Sequence, residues 1–173
     1  MRILDDFLSN EDFYKLRDKV FSPDFPWFFQ EGKSELYDGF RYGHSVWMPL
    51  NALVTPLSFE LYNLIAPIIN KLEAKAITRI KLNSDIITEV PHVSKYHVDN
   101  DWCNDKYAWT GIYYLNTNNG YTEFEFGGKV GSVENRLLLF RADQNHRGVG
   151  QTDTTRRVVL NINMMLSDGN PFT

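Results

Sequence analysis

Between Ala76 and Met165 the chain breaks into seven or eight short β-forming runs: ITRIKLNSDI, VSKYHV, WTGIYYLN, TEFEFG, KVGSV, RLLLFRA, HRGVGQ and RRVVLNINMM. Gly, Asn and Asp turns separate them. Many short strands at such spacing restrict the fold to an antiparallel barrel or jelly roll. The first 75 residues read differently. Ser9 followed by Asp12 has the form of a helix N-cap, and Phe13, Leu16 and Val20 then recur at helical spacing, so a helix is predicted from Asn10 to Phe21. A second helix is predicted in TPLSFELYNLIAPIINKLEAKA, with Phe59, Leu61, Leu64, Ile65, Ile68, Ile69 and Leu72 on its apolar stripe, kinked or split at Pro67. The aromatic stretch between them, residues 22 to 48, reads as strands or extended loops. The expected protein is mainly β, a single domain of residues 1–173: a helical and aromatic part to about residue 75 supports a jelly-roll core over about 76–166.

Composition narrows the function. With 173 residues, 43% of them hydrophobic and 14% aromatic, the chain can bury a core of its own and is no disordered segment. A net charge of -4 supplies no basic field for a nucleic-acid backbone, which makes nucleic acid an unfavoured partner. Cys103 is the only cysteine, so neither an intrachain disulfide nor a thiolate zinc site can form, and a reducing compartment is expected. The acidic N-terminus lacks the form of a signal peptide, and the apolar runs are too short to span a bilayer. A cytoplasmic protein without a membrane partner is the expectation.

Chemistry enters with KYHVDNDW, residues 95 to 102. In a strand, residues two apart point to one face, so His97 and Asp99 can aim at one point. An imidazole and a carboxylate suit a divalent metal such as ferrous iron. The pair alone is a weak signal, because such a doublet arises easily by chance and a histidine at a strand end explains it as well. His146, in the turn before the last strands, would complete a two-histidine, one-carboxylate triad with three coordination positions open. A cosubstrate with a keto group beside a carboxylate can chelate two of them and dioxygen can take the third. The distal carboxylate of such a cosubstrate, 2-oxoglutarate, calls for an arginine, and Arg156 and Arg157 open the last strand. If Arg157 points inward, so do Val159, Asn161 and Asn163, while Arg156, Val158, Leu160 and Ile162 face the other way. Two asparagines inside a β core need polar partners there. The alternative is an edge strand with its asparagines in water.

These residues resemble the iron(II)- and 2-oxoglutarate-dependent oxygenases, in the prolyl-hydroxylase-like branch and its short members from bacteriophages and marine bacteria. The resemblance runs in order from HVDN (97–100) through GIYYLN (111–116), NGYTEF (119–124) and ENRLLLF (134–140) to His146 and RVVLN (157–161). It implies a double-stranded β-helix core, iron held by His97, Asp99 and His146, and 2-oxoglutarate held by Arg157 in preference to Arg156, with Tyr114 and Asn161 beside it. Dioxygen would then be consumed, and a C–H bond of a peptide, protein or small-molecule substrate hydroxylated, a prolyl residue being the first candidate. The chain would work in the cytoplasm, that of a host cell if it is virus-encoded like the phage members it resembles. Three departures fall where such enzymes usually contact substrate: Tyr121 in place of a second glycine, a longer stretch between RIKLN and HVDN, and an N-terminal third without a matching motif. Lys81 and Asn83 are further candidates to touch cosubstrate or substrate, Trp27, Trp47 and Trp109 to line the pocket, and the loop between Trp102 and Trp109 to close over it. His92, His44, Thr122 and Phe124 read as structural, and Cys103 as incidental. A nucleic-acid demethylase on the same centre, a non-catalytic jelly-roll binding module and a cupin-like metalloenzyme are the competing readings.

Overall fold

Strand alternation is clearest at the C-terminal end, and there it organises the molecule. The computed structural model describes residues 1–31, 40–48, 56–99, 106–168, 170 and 172. Its elements in chain order are β1 (Arg2–Leu4), α1 (Asn10–Phe21), β2 (Phe28–Glu31), β3 (Phe40–Trp47), α2 (Pro56–Lys71), β4 (Ala76–Ile86), β5 (Ala108–Tyr114), β6 (Tyr121–Phe124), β7 (Lys129–Gly131), β8 (Arg136–Arg141), β9 (His146–Val149) and β10 (Arg156–Met165). Seven strands form an antiparallel sheet in the order β1-β8-β5-β10-β4-β3-β2, and β7-β6-β9 form a smaller second sheet. Two facing antiparallel sheets are the jelly-roll arrangement expected from the strand spacing.

β10 is the middle strand of the large sheet, paired to β4 on one side and β5 on the other. It is therefore no edge strand, and both its faces are covered. Val158, Leu160, Ile162 and Met164 pack with Phe13, Leu16 and Val20 of α1, with Leu61, Ile65 and Ile68 of α2, and with Leu72 just beyond it. Val159 faces the opposite way, into a second cluster with Ile112, Tyr114, Phe124, Val130, Leu138 and Phe140 between the sheets. Full burial of each such aliphatic side chain contributes about 1.5–3 kcal/mol, so the two helices are fastened to the sheet's back by their apolar stripes.

α1 begins where its cap dictates: Ser9 Oγ accepts the Asp12 backbone N–H at 3.2 Å and donates to Asp12 Oδ2 at 2.8 Å. α2 is not split at Pro67 but runs through it to Lys71. The carbonyl that loses its helical donor there belongs to Asn63, an exposed residue that water can serve. No helix among the described residues is long and apolar enough to cross a membrane.

Two features depart from the sequence reading. The N-terminal third is not only support: the aromatic stretch supplies β2 and β3, as strands its sequence allowed, and these together with β1 join the large sheet. And VSKYHV forms no strand: it touches β9 through isolated bridges at Val93–Val149 and His97–His146. Four residue steps on one side (93 to 97) face three on the other (146 to 149), so a residue bulges out and a regular ladder cannot continue. The two-residue alternation used to aim His97 and Asp99 together does not apply there.

Candidate active site

The register of the large sheet lays out a polar floor. β10 sits opposite β4 with Asn163 against Arg79, Asn161 against Lys81, Val159 against Asn83 and Arg157 against Asp85. On its other side β5 brings Thr110, Ile112 and Tyr114 to Asn163, Asn161 and Val159. The small sheet roofs this floor with Thr122 of β6 and His146 and Gly148 of β9. All three line a pocket together with Arg41, Asn83, Asp85, His97, Ile112, Arg157, Val159 and Asn161.

At one end His97, Asp99 and His146 offer donor atoms that all lie within 4.8 Å of one another. His97 arrives there through its bridge to His146, each backbone N–H donating to the other's carbonyl at 3.0 Å. Both imidazoles are oriented by the main chain: Nδ1–H of His97 donates to Lys95 O and that of His146 to Gln144 O, each at 3.0 Å. With Nδ1 protonated, each Nε2 keeps its lone pair and faces Asp99, at 3.7 Å to Oδ1 from His97 and 3.9 Å to Oδ2 from His146. Asp99 is fixed in turn by Asn163, whose amide donates to Asp99 Oδ2 at 3.2 Å and to Thr110 Oγ1 at 3.1 Å. Phe140 stacks edge-on against the His146 ring at 4.8 Å.

Charge follows the burial. Burial opposes ionisation of Asp99, yet the His97 side chain beside it, with His146 and Arg79 nearby, holds its carboxyl well below the usual carboxylate range. Burial also works against a charged His97, but Asp99 outweighs it and raises that imidazole. At His146 burial prevails, aided by His97, and its pKa is lowered despite Asp99. An anionic carboxylate between two imidazoles with free Nε2 lone pairs is a donor set suited to a borderline divalent cation.

Arg157 occupies the other end, buried at 3% exposure. Its Nε donates to Ser132 Oγ at 2.8 Å, and its terminal nitrogens lie 3.4 Å from Asp85 Oδ2 and 3.5 Å from Thr122 Oγ1. The guanidinium stands 5.6 Å from the Tyr114 ring centre, while the Tyr114 hydroxyl donates to Thr122 at 2.8 Å. Tyr114 thus stands behind Arg157 and Thr122. Gly120 makes this packing possible, because a Cβ there would fall 2.7 Å from Arg157 Cδ and 2.9 Å from Val149 O. Arg156 points the opposite way, over the Phe21 ring at 4.3 Å with a hydrogen bond to Phe21 O.

Asp85 has a second guanidinium, Arg41 Nε, at 3.6 Å from Oδ1. Arg157 and Arg41 thus approach the Asp85 carboxylate from its two oxygens at this end of the pocket. Four buried oxygens on the floor, Asn83 Oδ1, Asp85 Oδ1, Asn161 Oδ1 and Asn163 Oδ1, have no hydrogen-bond donor among the described residues. Each such group costs about 1–3 kcal/mol if left unserved, so the cavity is built for a polar occupant.

Arg41, Asp85, Thr122 and Ser132 were not singled out from the sequence as site residues. Arg79, Lys81, Asn83 and Asp85 carried a usable signal, polar residues two apart along β4 that alternate with Ile80, Leu82 and Ser84. Trp27, Trp47 and Trp109 do not line the pocket. Trp27 and Trp109 pack in the helix-side core and the Trp47 indole donates to Ile77 O. His44 is buried against Phe25 with Nδ1 on Pro26 O. Trp102 and Cys103 lie outside the described residues.

Lys81 gives this site a signature in stability. Burial, with Arg79 and Arg41 nearby and only Asp99 opposing, pushes its ammonium down to about 8 from 10.5. Above pH 8 the folded protein releases this proton while the unfolded chain keeps it to 10.5, so the unfolded state binds more protons and stability rises with pH across that window. Denaturant titrations between pH 7.5 and 10.5 should show this rise in wild type relative to Lys81→Met. Parallel curves for the two proteins would refute the assignment.

No family model and no curated protein sequence matches the chain. Solved structures do. A Pseudomonas putida prolyl-4-hydroxylase superposes with a TM-score of 0.62 at 14% identity, covering 96% of this chain and 92% of that one. A prolyl hydroxylase from Trichoplax adhaerens, in complex with a hypoxia inducible factor oxygen degradation domain peptide fragment, gives 0.61 at 14% identity over 95% and 82%. The viral collagen prolyl hydroxylase of Paramecium Bursaria Chlorella virus-1, as its 2OG complex, gives 0.56 at 12% identity over 96% of each chain. At these identities the likeness is one of architecture, and the fold of this chain is that of the 2OG-Fe(II) oxygenases, prolyl hydroxylases among them.

Proposed function

We propose that the chain is a single-domain Fe(II)- and 2-oxoglutarate-dependent oxygenase that hydroxylates a C–H bond of its substrate. One observation carries the reading: a two-histidine, one-carboxylate cluster and a buried arginine share a pocket whose polar floor lacks partners. The donor set fits ferrous iron, with His97 and His146 as nitrogen ligands and Asp99 as the oxygen ligand. The buried Arg157 guanidinium that lines the pocket fits the distal carboxylate of 2-oxoglutarate. When bound, iron and cosubstrate supply the oxidising chemistry: dioxygen is reduced, 2-oxoglutarate leaves as succinate and carbon dioxide, and the substrate gains a hydroxyl.

The chain's own residues prepare that chemistry. Lys95 O and Gln144 O hold the two imidazoles with Nε2 free. Asn163 holds Asp99. Arg157, steadied by Ser132 and Thr122, offers its guanidinium to the cosubstrate, while Asn161 and Asn83 stand beside the path between the two ends. Ile112 and Val159 supply an apolar stretch of pocket wall that excludes water. A prolyl residue of a peptide or protein is the first substrate class to test, because the neighbouring structures are prolyl hydroxylases and one holds a peptide fragment.

The test is conversion of 2-oxoglutarate to succinate by the iron-loaded protein in air, followed by proton NMR with and without candidate peptides. Succinate formation that requires iron is the expected result. Intact 2-oxoglutarate after prolonged incubation with bound iron would overturn the proposal.

A further inference from the structure

Four cations stand on this polar floor or beside it, and three already face carboxylates: Arg79 lies 3.8 Å from Asp99, while Arg41 and Arg157 flank Asp85. Lys81 is the exception. Among the described residues its ammonium makes one hydrogen bond, to Gln30 Oε1 at 2.8 Å, and no carboxylate comes within ion-pair distance. Gln30 is itself fitted to this place. It reaches from β2 across Gly43 of β3, where a Cβ would fall 2.7 Å from the Gln30 amide nitrogen. An ammonium has three donors, and partial burial with one neutral acceptor leaves it short of partners.

Charge at the metal end points the same way. Asp99 is offset by Arg79, and Lys81 adds a further positive charge. Ferrous iron brings two more, and the keto-acid carboxylate of 2-oxoglutarate removes one. With iron and cosubstrate in place, two positive charges remain at the metal end of the site. A neutral peptidyl proline would leave both unanswered.

We propose that Lys81, with Arg79 beside it, binds a carboxylate of the substrate to be oxidised, so that the enzyme acts on a small free acid such as an α-amino acid. The inference rests on the oxygenase reading and names its substrate class. Scale supports a small molecule. Lys81 stands two residues from Arg79 along β4, a step of about 6.8 Å, and Arg79 reaches the ligand Asp99. A carboxylate anchored there lies only a few bonds from the carbon presented to the metal. An internal prolyl residue has an amide at that distance, which cannot answer a buried cation.

The experiment uses protein loaded anaerobically with ferrous iron and 2-oxoglutarate, titrated calorimetrically with the free L-amino acids and C3 to C6 carboxylic acids, each beside its amide. At least one acid should bind about tenfold or more tightly than its amide. Lys81→Met should erase that preference and Lys81→Arg should restore most of it. Equal binding of every acid and amide would overturn the proposal, as would a preference that survives in Lys81→Met. Tighter binding of inorganic phosphate than of any acid, or of a proline peptide equally by wild type and Lys81→Met, would overturn it too. A loading step that shows no uptake of 2-oxoglutarate is a different failure, that of the oxygenase reading itself. Ligand-free Lys81→Met should fold and melt about 2–4 °C higher than wild type, because an under-partnered cation is gone. A lower midpoint would mean that Lys81 is structural and would overturn the assignment.

Discussion

Replacing His146 or Asp99 with alanine should reduce succinate formation by on the order of 10³-fold or more, together with the loss of tight ferrous iron binding. The reason lies in how few donors converge. His97, Asp99 and His146 are the one group of three metal-capable side chains found among the described residues, and two ligands of the three cannot enclose the ion. Asn163→Ala should be milder, about 10–100-fold, because it touches no metal and only holds Asp99 in place through its amide. That difference separates a ligand from a positioning residue. Iron affinity measured by chelator competition should fall in the same order as activity. An Asn163→Ala protein as inactive as Asp99→Ala, with normal iron affinity, would contradict the role given to Asn163.

Arg157→Met should raise the KM for 2-oxoglutarate by about 10²-fold while leaving kcat at saturation within a few-fold, as expected when uniform binding of a charged group is removed. Methionine keeps most of the volume, and Asp85 keeps Arg41 as its partner, so the buried carboxylate is not left alone. The control is its neighbour. Arg156→Met removes the contact with Phe21 on α1 and should lower stability without moving the KM. Equal effects of the two substitutions on KM would contradict the separation of the strand's faces.

Much of this was legible in residue order. The helix Asn10–Phe21 was readable, since a serine cap, an acid three positions on and three apolar residues at helical spacing act locally. Alternation along one strand needs no knowledge of its neighbours, so it set Arg157 and Arg156 on opposite faces of β10, and the family resemblance chose Arg157 as the inward one. What escaped depends on pairing at long range. Arg2–Leu4 becomes a strand only because β8, more than 130 residues later, supplies Leu137, Leu138 and Leu139 as partners. Arg41 meets Asp85, and Gln30 meets Lys81, because β2 and β3 are laid beside β4, and no periodicity within those segments announces that order. The His97–Asp99 pair was found by a rule that does not hold locally. The two side chains converge through a bridge to His146 and an amide from Asn163, not through a regular strand.

The most direct test of the central claim is anaerobic titration of ferrous iron and then 2-oxoglutarate into the metal-free protein, followed in the visible region. A weak charge-transfer band that develops with cosubstrate, disappears in His97→Ala and weakens in Arg157→Met is the expected result. Iron bound by wild type with no band at any 2-oxoglutarate concentration would contradict it.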